Sequence, residues 1–167
     1  MAVKTASVTL DGGDLRFVGS VGSGHSIVLD SGTGDGGARP AELVPLAVAG
    51  CTAMDVISIL RKKRQEVTRY EVLSNGTQMG DYPHAFTRID VTHVVEGPAL
   101  DVEAVRRAIE LSATRYCSVG ATLASGITEI HHGYVVRDAA GSEVSAEVIV
   151  LGPGTEPVGA LGLAPVG

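Results

Sequence analysis

From Arg39 to Arg64 the chain reads RPAELVPLAVAGCTAMDVISILRKKR, with no charge between Glu42 and Asp55. As a helix this stretch is apolar on nearly every side, which predicts burial rather than a place on a surface. Helical spacing puts Leu43, Ala47, Cys51 and Asp55 in one row, with Met54 and Ser58 beside it. A thiol therefore lies one turn from a carboxylate. Pro45 is tolerated only in a first turn, so the helix is expected to start near Glu42. Gly50 in mid-run costs about 1 kcal/mol relative to Ala, and close approach of another helix near the thiol would account for it. Leu43 to Leu60 just reaches the length of a membrane span, and the basic run Arg61 to Arg64 follows it. Thr52, Asp55, Ser58 and the strand-like sequence on both sides argue against a span.

The chain of 167 residues suits one domain with a substantial core. Charged residues make up 19% and apolar ones 44%, a globular balance. A net charge of −6 argues against a nucleic-acid partner. The N-terminus, MAVKTASVTL, lacks the basic-then-apolar pattern of a signal peptide. The expected location is the cytoplasm, where a disulfide is more often catalytic or redox-sensing than structural.

Val3 to Leu10 and Leu15 to Ser20 read as a hairpin about the turn Asp11 to Asp14, with a third strand from His25 to Asp30. Residues 31–38, SGTGDGGA, form a Gly-rich loop without the Lys-Ser/Thr of a phosphate-binding loop. After the apolar helix, Val67 to Gln78 and Ala85 to Val95 alternate as strands. Asp101 reads as the N-cap of an amphipathic helix. Val102, Val105, Ile109, Ser112 and Tyr116 share its inner face; Arg106, Arg107, Glu110 and Thr114 share the outer one. Cys117 ends it, Ser118 to Ser125 continues as a short helix, and Ile127 to Arg137 is a strand. His131 and His132 are adjacent there and point to opposite faces, so they are read as structural rather than as a chelating pair. Glu143 to Leu151 is a candidate last strand, and the Gly/Pro-rich tail from Gly152 reads as an arm.

No CxxC, HExxH or GxSxG motif occurs, so neither a metal nor a cofactor is expected. Two thiols remain, 66 positions apart, each on or at the end of a predicted helix. One thiol that reacts and a second that resolves are the minimal machinery of a thiol peroxidase. A thiolate in an apolar site needs a cation or donors nearby. Arg16 and Arg39 are the candidate cations, and Glu42 a candidate to hold one of them.

The segments PAELVPLAVAGCTAMDVISIL and YCSVGATL together resemble the OsmC/Ohr family, the osmotically inducible and organic hydroperoxide resistance proteins, and most closely its YhfA-like branch. The resemblance covers roughly residues 3–137. It implies an α+β fold, with antiparallel sheets wrapped around a buried central Cys-bearing helix in an intertwined homodimer. The OsmC-like domain would be residues 1–139, with 140–167 an extension carrying an extra strand and the arm. It also implies reduction of organic hydroperoxides, with Cys51 as the reacting thiol, Cys117 as the resolving thiol, and a dithiol such as a lipoyl group as reductant. Glu42, in the Pro-x-Glu-Leu segment, would orient an Arg, and Arg16 or Arg39 would fill that role. A non-catalytic member of the same fold, binding a small apolar ligand in the dimer groove, is the alternative. Neither a nucleic acid nor a membrane is an expected partner.

Overall fold

The computed structural model describes residues 2–155 in two compact units, the first ending at Val44 and the second beginning at Pro45. In the first unit, β1 (Ala6–Leu10), β2 (Phe17–Val21) and β3 (Ser26–Leu29) form an antiparallel meander. The Gly-rich loop after it closes on the chain's own carboxylate. Asp30 accepts hydrogen bonds from the Ser31 and Gly36 amides, at 2.6 and 3.0 Å. A Cβ on Gly34 would come within 2.6 Å of that carboxylate. Two of the loop's amides are thus spent on an internal anion. A 3₁₀ turn, Pro40–Glu42, comes next.

The second unit holds most of α1 (Leu43–Lys62), then β4 (Arg69–Gln78), β5 (Phe86–Glu96), α2 (Val102–Leu111), a π-turn (Ser112–Tyr116), α3 (Ser118–Ala124), β6 (Glu129–Arg137) and β7 (Glu143–Leu151). Its sheet has the order β4-β5-β6-β7. β5 and β6 run parallel, with α2, the π-turn and α3 as their crossover, and the other pairs are antiparallel. Alternation in β5 and β6 sends Val91, His93, Val95, Ile130, His132, Tyr134 and Val136 inward. Val56 and Leu60 of α1 and Val105, Ala108 and Ile109 of α2 share a core with Val95, Tyr134 and Val136. Each of the Val, Leu and Ile side chains among them contributes about 1.5–3 kcal/mol by burial. The strand expected over Glu143 to Leu151 is present and pairs with β6. The arm expected from Gly152 lies outside the described residues beyond Thr155.

Two expectations need correction. By length and composition Pro40–Lys62 is apolar enough to cross a membrane, yet its Val48, Ala49, Thr52, Val56 and Leu60 are buried. Among the described residues of the second unit, the opposite side is not covered. Leu46 is 60% and Met54 74% exposed, and a Cβ on Gly50 would meet nothing within 4 Å. The second correction concerns the end of α2, where Thr114 is 3% exposed and Tyr116 53%, the reverse of the α-helical reading. The Cys117 amide donates to the carbonyl five residues back, on Ser112, at 2.9 Å. The wider π-turn holds one extra residue and rotates the end of the helix, bringing Thr114 in and turning Tyr116 out.

Candidate functional site

The two cysteines reach one place from different elements. Cys51 is half-buried on α1. Cys117 is 2% exposed at the junction where the π-turn ends and α3 begins. Its extended backbone, φ −72° and ψ 95°, makes it the N-cap of α3, and its Sγ accepts from the Gly120 amide at 3.3 Å. A Cβ on Gly120 would lie 3.3 Å from that sulfur, so the missing side chain permits the approach. Burial pushes the Cys117 thiol up to about 12; the Gly120 amide opposes this, while the adjoining Cys51 thiol and then the Asp55 charge add to it. Both cysteines are free thiols.

Ser112 ties the two elements together. Its hydroxyl donates to Asp55 Oδ2 at 3.0 Å and lies 2.9 Å from Thr52 Oγ1, both on α1. Thr52 and Ser112 are fully buried. The same residue's carbonyl accepts from the Cys117 amide. One serine thus holds the Cys51 helix with its side chain and the Cys117 backbone with its main chain.

A second polar group lines the inner face of the sheet. The Tyr70 hydroxyl lies 2.7 Å from His93 Nδ1, and the His93 and His132 rings stack with centroids 6.1 Å apart. Burial first, and the Asp55 charge second, raise the Tyr70 pKa well above its ordinary value. Burial, then the neighbouring His132, lowers His93 to about 3. Burial, then His131, lowers His132 to about 4. Among the described residues, His93 Nε2 and both His132 ring nitrogens have no hydrogen-bond partner. His131 faces the other way, 3.0 Å from Glu147 and 3.4 Å from Glu129.

Of the residues expected at a site, Cys51 and Cys117 are brought together within the second unit. The others belong to the first unit. There Glu42 accepts from the Arg39 amide at 2.9 Å and pairs with its guanidinium at 3.5 Å, while Arg16 pairs with Asp11 at 3.1 Å. Ser112, Tyr70 and His93 were not singled out by sequence for chemistry. Ser112 read as one more inner-face residue, and a lone His in an alternating strand carries no motif. Asp55 was visible as the carboxylate one turn from Cys51.

An α+β chain that carries one free thiol on a long helix and a second on the crossover between two parallel strands is the class this fold and site define. The chain belongs to the OsmC-like protein family, whose model matches residues 32–131 and so spans both cysteines. It is 42% identical to Protein YhfA of Escherichia coli K12 over 122 residues, 73% of this chain and 90% of that protein. A solved protein from Aquifex aeolicus VF5 superposes with a TM-score of 0.71 at 28% identity, covering 82% of this chain and 98% of its own. The organic hydroperoxide resistance protein OsmC of Legionella pneumophila shares the fold, with a TM-score of 0.57 at 11% identity over 81% of this chain and 97% of its own.

Proposed function

We propose that the chain is a thiol-dependent peroxidase that reduces organic hydroperoxides. The observation that carries this reading is the pair of free thiols, one half-buried and one buried, side by side on separate elements. Attack needs a thiolate, and access favours Cys51 for it. The Cys51 sulfur takes the distal peroxide oxygen, the O–O bond breaks, and the alkoxide leaves with a proton as the alcohol. The resulting sulfenic acid condenses with the Cys117 thiol, forming the S–S bond and releasing water. A dithiol, lipoyl or similar, returns both cysteines by two exchanges. A thiol near 12 stays protonated at rest, which suits Cys117 to the second role rather than the first.

The cation for the first step is nominated by the sequence and the family resemblance: Arg39, paired with Glu42, or Arg16. The working form is a homodimer in the cytoplasm, in which a second copy covers the apolar side of α1 around Leu46, Gly50 and Met54. One observation favours a second reading. The first unit contains a cavity of about 480 Å³ lined by Val8, Leu15, Phe17, Leu29 and Pro40 with Asp30 and Ser31, a size that suits a small apolar ligand. A hydroperoxide consumption assay with dithiothreitol or dihydrolipoamide decides between them. Turnover supports the peroxidase; no consumption with any dithiol leaves the binding protein.

A further inference from the structure

Ser112, the first residue of the π-turn, spends both its side chain and its carbonyl on the cysteine-bearing elements. Its hydroxyl donates to Asp55 Oδ2 at 3.0 Å. A hydroxyl has one proton to give, so Thr52 Oγ1, 2.9 Å away, must donate to Ser112 Oγ. Thr52 is the residue next to Cys51, and Asp55 follows Cys51 by one turn of α1. On the other side, the Ser112 carbonyl takes the Cys117 amide at 2.9 Å, where an α-helix would offer it the Tyr116 amide. That step of one residue is a rotation of about 100°. It leaves Tyr116 53% exposed and Cys117 2% exposed. The Gly120 amide then holds the Cys117 sulfur at 3.3 Å. Thr52 and Ser112 are fully buried, so water does not compete for their bonds.

We infer that Ser112 is the positioning residue for disulfide formation: it clamps the crossover to α1 and so sets how readily Cys117 meets Cys51. This deepens, and rests on, the two-thiol reading above. Ser112 acts on distance and direction rather than on protons. In the reduced protein both cysteines are free, so no covalent bond between them joins the two elements, and the clamp limits their relative motion. Limiting that motion raises the effective concentration of one thiol at the other. In the oxidised protein the disulfide itself holds the elements. Loss of the clamp therefore lets the reduced form relax but not the oxidised one, and the balance moves toward the dithiol. A serine that only stabilised the fold would weaken both forms equally and leave that balance where it was.

The test poises the full chain in mixtures of reduced and oxidised glutathione, without peroxide. The Cys51 thiolate breaks the S–S bond of oxidised glutathione and releases one reduced glutathione. The Cys117 sulfur, its proton lost to solvent, attacks the mixed disulfide; the Cys51–Cys117 bond forms and the second glutathione leaves. Thiol alkylation and mass spectrometry read the fraction oxidised. Ser112→Ala should lower the equilibrium constant for oxidation about tenfold, a rise of about 30 mV in reduction potential. Ser112→Thr, which keeps the hydroxyl, should bring the constant back to within about threefold of the wild type. Thr52→Val removes the other hydroxyl at similar volume and should move the constant the same way. It replaces Ser112→Ala if that variant does not fold, with Thr52→Ser as its rescue. An unchanged constant in the variant that lacks a hydroxyl, or an equal shift in its rescue, overturns the proposal. A wild type that forms no such disulfide removes the two-thiol reading and this proposal with it. The peroxidase reading fails separately: no hydroperoxide would be consumed, while the constant would still depend on Ser112.

Discussion

Ser112 Oγ stands 3.0 Å from Asp55 Oδ2, and through that contact the crossover carrying Cys117 is pinned to the helix carrying Cys51. The two residues are 57 positions apart in the chain. Removing the hydroxyl by Ser112→Ala leaves Asp55 and the buried Thr52 without this partner. The cost should be about 1–3 kcal/mol in urea unfolding. Ser112→Cys or Ser112→Thr, which keep a donor, should lose less.

The thiols should separate by role. Cys51→Ser should abolish hydroperoxide turnover, because a hydroxyl is not an effective nucleophile near neutral pH. Cys117→Ser should consume about one equivalent of peroxide and stall as the sulfenic acid, trappable by dimedone and visible by mass spectrometry. Full activity in Cys51→Ser would remove the enzyme reading.

The buried histidines set a pH dependence with a defined sign. His93 and His132 titrate near 3 and 4 when folded, against about 6.5 in an open chain. Below pH 6.5 the unfolded chain binds protons that the folded one refuses. The stability they allow is therefore fully present above pH 6.5 and is lost as the pH falls toward 4, at about 1.4 kcal/mol per unit for each ring. Since both His132 nitrogens lack a partner among the described residues, His132→Leu should flatten part of this slope in unfolding curves recorded from pH 7 to 4.5. An unchanged slope would assign the acid sensitivity elsewhere.

The uncovered side of α1 gives a prediction about assembly. Met54→Lys, at a position 74% exposed in the single chain, should be silent in a monomer. In the proposed dimer it should place an unpaired charge in an apolar interface and shift sedimentation toward the monomer. A wild-type chain that sediments as a monomer at micromolar concentration would contradict the dimer outright.

Arg39→Ala and Arg16→Ala address the cation. Whichever supports the Cys51 thiolate should, when removed, slow peroxide consumption about tenfold or more, with the later disulfide-forming step little changed. Equal effects from both would point to a general loss of positive potential. Arg39→Ala also breaks an exposed pair with Glu42, worth at most about 1 kcal/mol of stability.

Periodicity made most of the fold legible. The alternation of β4, β5, β6 and β7 and the cap at Asp101 followed from residue types that act within a few positions. Cys51 and Asp55 stood out because charge and thiol are rare in an apolar helix. The π-turn was not legible, because nothing in SATRY forbids an α-helix and the extra residue is set by how the crossover meets the sheet. That one residue exchanged the expected places of Thr114 and Tyr116. The apolar side of α1 was legible as a demand for cover beyond one chain, but hydropathy alone does not say which residues, Leu46 and Met54 among them, are left exposed.

The span between Cys51 and Cys117 contains β4, β5 and α2 entire. A bond between the sulfurs would close a loop of 67 residues, Cys51 to Cys117 inclusive, within the second unit. By loop-closure entropy that link would disfavour the unfolded chain by about 4 kcal/mol. The reduced and oxidised forms would then melt at different temperatures, the oxidised one higher. A protein cycling between them would carry a record of its last encounter with oxidant in its resistance to heat and to proteases.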